Sequence, residues 1–221
     1  MIKLNKLNEP KILSDNYQVW TDELILLQAK EQLSGKKISK HLKTKYNHKE
    51  IKDQLKKETF KKCAYCESKF LSTSFGDIEH VVPKTFKVEM WFKWTNLTLA
   101  CQVCNNNKSD YYSTTDPLLD PYVDEIDEHI FFGGSMLFSK SLKGALTIRK
   151  LDLNRIDLIE ARNWYLKNTI DPFIQLINVQ SDPDLRESVF RDMYELTKEI
   201  NTFSKMALSI ITQFSTPIKS A

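Results

Sequence analysis

The placement of four cysteines constrains this chain more than any other feature. They fall as Cys63-Ala-Tyr-Cys66 and Cys101-Gln-Val-Cys104, two pairs separated by 34 residues, and the 221-residue sequence has no others. A two-residue spacer lets both sulfurs of a pair face one ion, and two such pairs make a closed tetrahedral site with no position left for water. The spacing therefore predicts a structural Zn²⁺ whose binding energy is part of the folding energy. Redox thiols and unrelated buried cysteines are the alternatives. The opening Met1–Pro10 lacks the apolar run of a signal peptide, and no stretch approaches the ~20 consecutive apolar residues of a membrane span. The expected compartment is the cytoplasm, where thiols stay reduced and metal ligation is favoured over disulfides.

The gap between the pairs is longer than in the common zinc-ribbon pattern, so its contents form a loop tied at the base. It holds Gly76-Asp-Ile-Glu-His-Val-Val-Pro-Lys84 and Trp94-Thr-Asn-Leu-Thr-Leu-Ala100. One histidine, His80, directly follows one carboxylate, Glu79. A lone histidine is more often a structural hydrogen-bonding residue than a base. Here Glu79 and Asn105, the residue after the fourth cysteine, can together hold a divalent cation beside it. A neutral imidazole takes a proton from water near neutral pH, which makes His80 the candidate general base. Mg²⁺ or Mn²⁺ takes oxygen ligands, and Glu79 and the side-chain carbonyl of Asn105 offer two. Asp77 lies on the same strand face as Glu79 and is a weaker candidate to support that ion. Lys84 and Lys108 are candidate phosphate contacts. Trp91, Phe92 and Trp94 read as core rather than as a base-stacking platform.

Composition adds little by itself. A net charge of +3 and a pI near 8.5 are too mild to argue for nucleic acid. The distribution says more: from Lys36 to Lys62 eleven lysines face only Glu50, Asp53 and Glu58, immediately before the first cysteine. Alone, such a run reads as a solvated helix face. Helical spacing runs from Asp22 to Leu33 and from Lys49 to Lys62, whereas Gly76–Val82 and Leu97–Ala100 suit strands of a small hairpin. Asp116–Glu128, with six acids and no base, reads as a loop. One or two short strands are expected around Gly134 and Gly144, and a helix over Asp152–Ile170. Asp182-Pro183 reads as a cap and first turn. Beyond it Leu185, Val189, Met193, Leu196, Ile200, Phe203, Ala207, Ile210 and Phe214 form an apolar stripe on one long helix, or on two with a kink.

Glu79-His80, Asn96-Leu97 and Cys104-Asn105, framed by the cysteine pairs, resemble the HNH or ββα-metal endonuclease motif in its four-cysteine zinc form. In that resemblance His80 matches the first histidine, Asn96 the middle asparagine that orients the base, and Asn105 the final metal-binding position. That last position is often histidine in the family, so the chain is similar to the H-N-N variant, which bears on metal preference. The opening Met1–Pro10, Ile78-Glu-His-Val-Val-Pro-Lys84, Leu119-Asp-Pro121 and Leu153-Asn-Arg155 are similar to the PtuB-like family, and this outer match extends to about Arg162. That family comprises HNH subunits of Septu and certain retron anti-phage systems.

The resemblance implies an α+β fold, a ββα-metal core with a four-cysteine zinc knuckle inside a mostly helical chain. The expected regions are 1–62 (helical, lysine-rich), 63–115 (catalytic core with knuckle) and 116–221 (mainly helical). It implies a metal-dependent endonuclease, with DNA the favoured substrate, acting in a prokaryotic defence complex beside an ABC-type ATPase. A ribonuclease acting on transfer RNA or other RNA through the same site is the alternative within this chemistry. A zinc-stabilised nucleic-acid-binding module without activity is the alternative outside it.

Overall fold

The computed structural model describes residues 1–35 and 39–213. The first helix, α1 (Lys11–Ser34), begins directly after Pro10. It starts well before the expected Asp22, because Leu13 and Leu24 are both fully buried and Tyr17 and Trp20 pack between them on the same face. It ends at Gly35, whose φ of 69° is left-handed and whose N–H donates to the Glu31 carbonyl, as a glycine stop requires. A short α2 (Lys40–Lys43) and then α3 (Lys49–Glu58) follow, with Ile51 and Leu55 turned inward.

The expected hairpin is present. Strands β1 (Asp77–His80) and β2 (Leu97–Ala100) pair antiparallel, with Asp77 opposite Ala100 and His80 opposite Leu97. Gly76, at φ 72°, leads into β1 where a Cβ would stand 2.6 Å from the Phe70 ring. No other residue fits there without moving that ring. Helix α4 (Gln102–Lys108) leaves β2 and packs on β1, completing a ββα unit. Trp91, Phe92 and Trp94, on the connection between the strands, are buried as expected of core residues.

Past this unit come α5 (Ile126–His129), a second hairpin β3 (Ile130–Gly133) with β4 (Met136–Ser139), α6 (Leu142–Lys150) and α7 (Ile156–Tyr165). The expected strand near Gly134 exists, with Gly134 at its turn, but Gly144 lies inside α6. The reason is steric. A Cβ there would meet the His129 carbonyl oxygen at 2.1 Å, so the glycine lets α6 press against the preceding backbone. After a π turn over Leu166–Ile170 the helix continues as α8 (Asp171–Val179); Pro172 has no N–H to give the carbonyl four residues back, and the wider turn absorbs that loss.

Asp182 caps α9 (Pro183–Glu195) as the sequence suggests, accepting from the Asp184 and Leu185 amides. The apolar stripe beyond it does not form one long helix. α9 stops at Glu195, and α10 (Ser204–Ile211) starts after Phe203, a non-glycine residue at φ 51°. Met193, Phe203, Ala207 and Ile210 are buried, while Leu185 and Ile200 are exposed; Phe214 lies outside the described residues. Most of the stripe thus completes the chain's own core. A single hydrophobic cluster runs from Leu13 of α1 to Ile211 of α10 through the ββα unit. The strings at the two ends of the first half also meet, since the Leu4 amide donates to the Pro121 carbonyl and the Trp94 indole to the Leu7 carbonyl.

The architecture is α+β: a ββα unit and a second two-stranded hairpin among ten α-helices of the described residues. No described helix is long and apolar enough to cross a membrane. The lysine-rich region is less positive than its sequence suggests. Lys45 pairs with Glu23, Lys43 with Glu31, and Lys49 and Lys56 with Asp53, while Lys36 and Lys37 lie outside the described residues.

Candidate active site and metal centre

The ββα unit has two chemically different ends. At one, Cys63 and Cys66 from the turn after α3 meet Cys101 and Cys104 from the start of α4. All four are buried, and their sulfurs lie within 4.8 Å of one another. Burial pushes the Cys63 thiol up, while hydrogen bonds from Cys101, Cys104 and Cys63 hold Cys66 down. A buried, converging set of this kind can hold a metal ion and has the donors of a closed tetrahedral thiolate site. Beside it, Glu67 sits at a left-handed φ of 63°. Its carboxylate lies 3.4 Å from the Lys62 ammonium and accepts from the Ser204 hydroxyl at 3.0 Å, while Lys62 also donates to the Asn201 carbonyl.

At the other end lies a polar cleft of about 510 Å³, lined by Asp77, Glu79, His80, Lys84 and Asn105 together with Tyr46 and Lys52. His80 is only 4% exposed, and the edge of its ring meets Tyr46 with centroids 4.6 Å apart. Its Nε2 stands 2.9 Å from the Trp91 carbonyl. A carbonyl can only accept, so Nε2 carries the proton and Nδ1 keeps a free lone pair. Burial takes the imidazole pKa down to about 3; the Trp91 carbonyl opposes this and the charges of Lys84 and Lys108 add to it. The ring is therefore neutral at physiological pH.

Asn96 is 1% exposed and makes no hydrogen bond to the imidazole among the described residues. Its Oδ1 accepts from the Val82 amide at 2.7 Å, and its Nδ2 donates to the Val82 and Met90 carbonyls at 3.0 and 2.9 Å. It thereby ties Val82, near the start of the connecting loop, to Met90, one residue before the Trp91 carbonyl that holds His80. Asn105 donates from Nδ2 to Asp77 at 3.0 Å, which leaves its Oδ1 with no donor among the described residues. Glu79 is buried, and burial raises its pKa against the pull of Lys108. Glu79 and Asn105 both line the cleft, and their carboxylate and carbonyl oxygens are donors of the kind a hard divalent ion takes. Lys84 reaches into the cleft and donates to the Tyr46 hydroxyl at 2.9 Å.

Lys108 departs from its expected place as a solvated phosphate contact. It is 3% exposed, with its ammonium 2.7 Å from Glu79 and donating to the His80 carbonyl at 2.9 Å. The face of α4 that packs on β1 carries it inward, where it balances the Glu79 charge and satisfies the strand's last carbonyl. Tyr46 and Lys52 were not legible as cleft residues. They come from the helical region before the knuckle, and no local spacing separates them from the surrounding lysine-rich run.

Residues 63–111 match the HNH endonuclease family model, a span that includes all four cysteines, His80, Asn96 and Asn105. The chain thus carries an HNH endonuclease domain, and by class it is a nuclease, a phosphodiester hydrolase. Beyond that domain it is similar to two curated relatives, each named Septu protein PtuB. One, from Bacillus thuringiensis, is 29% identical over 187 residues, spanning 84% of this chain and 67% of the relative. The other, from Bacillus mycoides (strain KBAB4), is 28% identical over 234 residues, spanning 86% and 78% respectively.

Proposed function

We propose that this chain is the nuclease of an anti-phage defence system, cutting nucleic acid, with DNA favoured, by general-base hydrolysis at the polar cleft. The observation that carries the reading is the fixed tautomer of His80: with Nε2–H tied to the Trp91 carbonyl, Nδ1 is a free base facing a cleft that also holds Glu79 and Asn105. His80 takes the proton from the attacking water, and the Trp91 carbonyl stabilises the imidazolium that forms. Asn96 keeps that carbonyl in place by clamping Val82 and Met90. Glu79 and Asn105 would hold the divalent ion, Mg²⁺ or Mn²⁺, which would supply charge neutralisation at the phosphate and leaving oxygen. Lys84 contacts a flanking phosphate, with Tyr46 fixing its ammonium. The four cysteines would hold a structural Zn²⁺, tying Cys101 and Cys104 of the α4 end, and with them Asn105, to Cys63 and Cys66.

The HNH domain and the similarity to two proteins named Septu protein PtuB support the defence role; the partner in this reading is an ABC-type ATPase subunit of the same system, beside which the chain acts. The test is incubation of the purified chain with DNA and with RNA, with and without Mg²⁺, alone and with the product of the adjacent gene. Mg²⁺-dependent cleavage of DNA, increased by that partner, is expected. Cleavage of RNA alone would move the reading to a ribonuclease, and binding without cleavage would remove the nuclease assignment.

A further inference from the structure

The string Leu153-Asn-Arg155 and the later Arg162 take no part in the cleft. Asn154 brackets β4, its Oδ1 accepting from the Leu137 amide at 2.9 Å and its Nδ2 donating to the Leu137 carbonyl at 2.8 Å. This brings the start of α7 against the knuckle. Arg155 then places Nη1 3.9 Å from the Cys104 sulfur while donating to the Asp152 carbonyl at 3.1 Å. Arg162, one turn pair further along, is fully buried between the rings of Phe132 and Phe203, at 5.1 and 5.9 Å from their centroids. Its Nη1 donates to the Leu153 and Ser135 carbonyls. Its Nε and Nη2 have no hydrogen-bond partner among the described residues. Burial lowers its pKa to about 10, opposed first by Cys66 and next by the Glu67 carboxylate, so it is charged at neutral pH. Neither arginine is in an ion pair with a carboxylate among the described residues.

A buried or half-buried guanidinium without a carboxylate of its own is costly unless a negative charge lies near; Glu67, whose charge reaches Arg162, is already shared between the Met1 ammonium and Lys62. Four thiolates around a divalent ion carry a net charge of two minus, which is as costly without cations. We propose that Arg155 and Arg162 are the counter-charges of the four-cysteine metal site, neutralising its two net negative charges and setting how firmly the ion is held. The inference rests on the reading of those cysteines as a zinc site. Packing alone accounts for the Arg162 ring contacts and its Nη1 bonds, but not for a charged group with two donors left over, nor for Arg155 at Cys104.

The experiment compares the purified full chain with Arg155→Met, Arg162→Met, the double variant and Arg155→Lys. Zinc per chain is measured by elemental analysis, and the rate of zinc loss by transfer to an excess of a coloured chelator. Support groups around a metal are typically worth roughly 10- to 100-fold in affinity. Each methionine variant is expected to release zinc at least tenfold faster by this measure, the double variant faster still, and Arg155→Lys close to wild type. With Co²⁺ in place of zinc, Arg155→Met should shift the thiolate-to-cobalt charge-transfer band. If Arg162→Met does not fold, the half-buried Arg155 decides: faster release in the methionine but not the lysine variant supports the proposal. Folded variants with wild-type release and an unmoved cobalt band overturn it while leaving the zinc site standing. Folded wild-type protein free of zinc overturns the metal reading and the proposal together.

Discussion

Cys104 and Asn105 are neighbours in α4, yet they face environments with opposite properties. Cys104 is fully buried with three other sulfurs in a site that admits no further ligand, whereas Asn105 lines an open, polar cleft with its carbonyl unengaged. The thiolate end gathers four buried sulfurs within 4.8 Å of one another, with the Lys62–Glu67 pair and Arg155 beside them. The cleft end keeps donors unspent, as a site that must bind and release substrate requires. The two residues are consecutive in one short helix, so whatever holds the four sulfurs together also places Asn105.

That contrast is open to direct attack. The largest effect is expected from Cys101→Ser, which should lose zinc and the soluble fold together because ligand energy is folding energy. Elemental analysis and thermal melting check it, and a stable, zinc-loaded variant would break the division of labour. Next, His80→Ala should keep zinc and fold but lose about 10²–10⁴ in cleavage rate, the usual worth of a general base. Wild-type cleavage by that variant would falsify the base assignment. Smaller and more selective, Glu79→Ala should raise the Mg²⁺ needed for half-maximal cleavage roughly tenfold or more, and Asn105→Asp should change the preference between Mg²⁺ and Mn²⁺. Metal titration reads both, with the zinc content unchanged.

The smallest effect is one of pH. A general base works only when deprotonated, so activity falls as pH drops through its pKa. An ordinary imidazole is about nine-tenths protonated one unit below its pKa of roughly 6.5, but burial takes His80 to about 3. At saturating Mg²⁺, kcat/KM should therefore show no loss from imidazole protonation between neutral pH and one unit below that ordinary pKa. A decline centred in the ordinary histidine range would place His80 in a wetter setting than the cleft provides.

The cysteine spacing and the alternation around Glu79-His80 were legible because a two-residue knuckle and a strand each impose a local pattern. The Asp182 cap was legible for the same reason. Lys108 was not: its side chain turns inward because α4 lies on β1, a tertiary fact that four-residue periodicity does not carry. Tyr46 and Lys52 reach the cleft from a different segment of chain, and Gly144 suggests a short strand until the His129 carbonyl is seen to need its missing Cβ. The apolar stripe ran unbroken through the sequence, yet the backbone turns at Phe203. Hydrophobic spacing records which residues are buried and says little about where a helix must stop so that they can be.

The contact between Glu67 and Ser204 spans 137 residues of chain. Contacts at such separation form late, since the loop between them must close before they return anything. The knuckle's own cysteines are all made early in synthesis, but the carboxylate following Cys66 finds its hydroxyl partner only after α10 has been made and docked. Until then Glu67 and Lys62 face the cost of burial with part of their hydrogen bonding missing. Final closure of the metal end therefore reports the arrival of the chain's last described helix, and a truncation before Ser204 would leave a knuckle able to gather its sulfurs but slow to set.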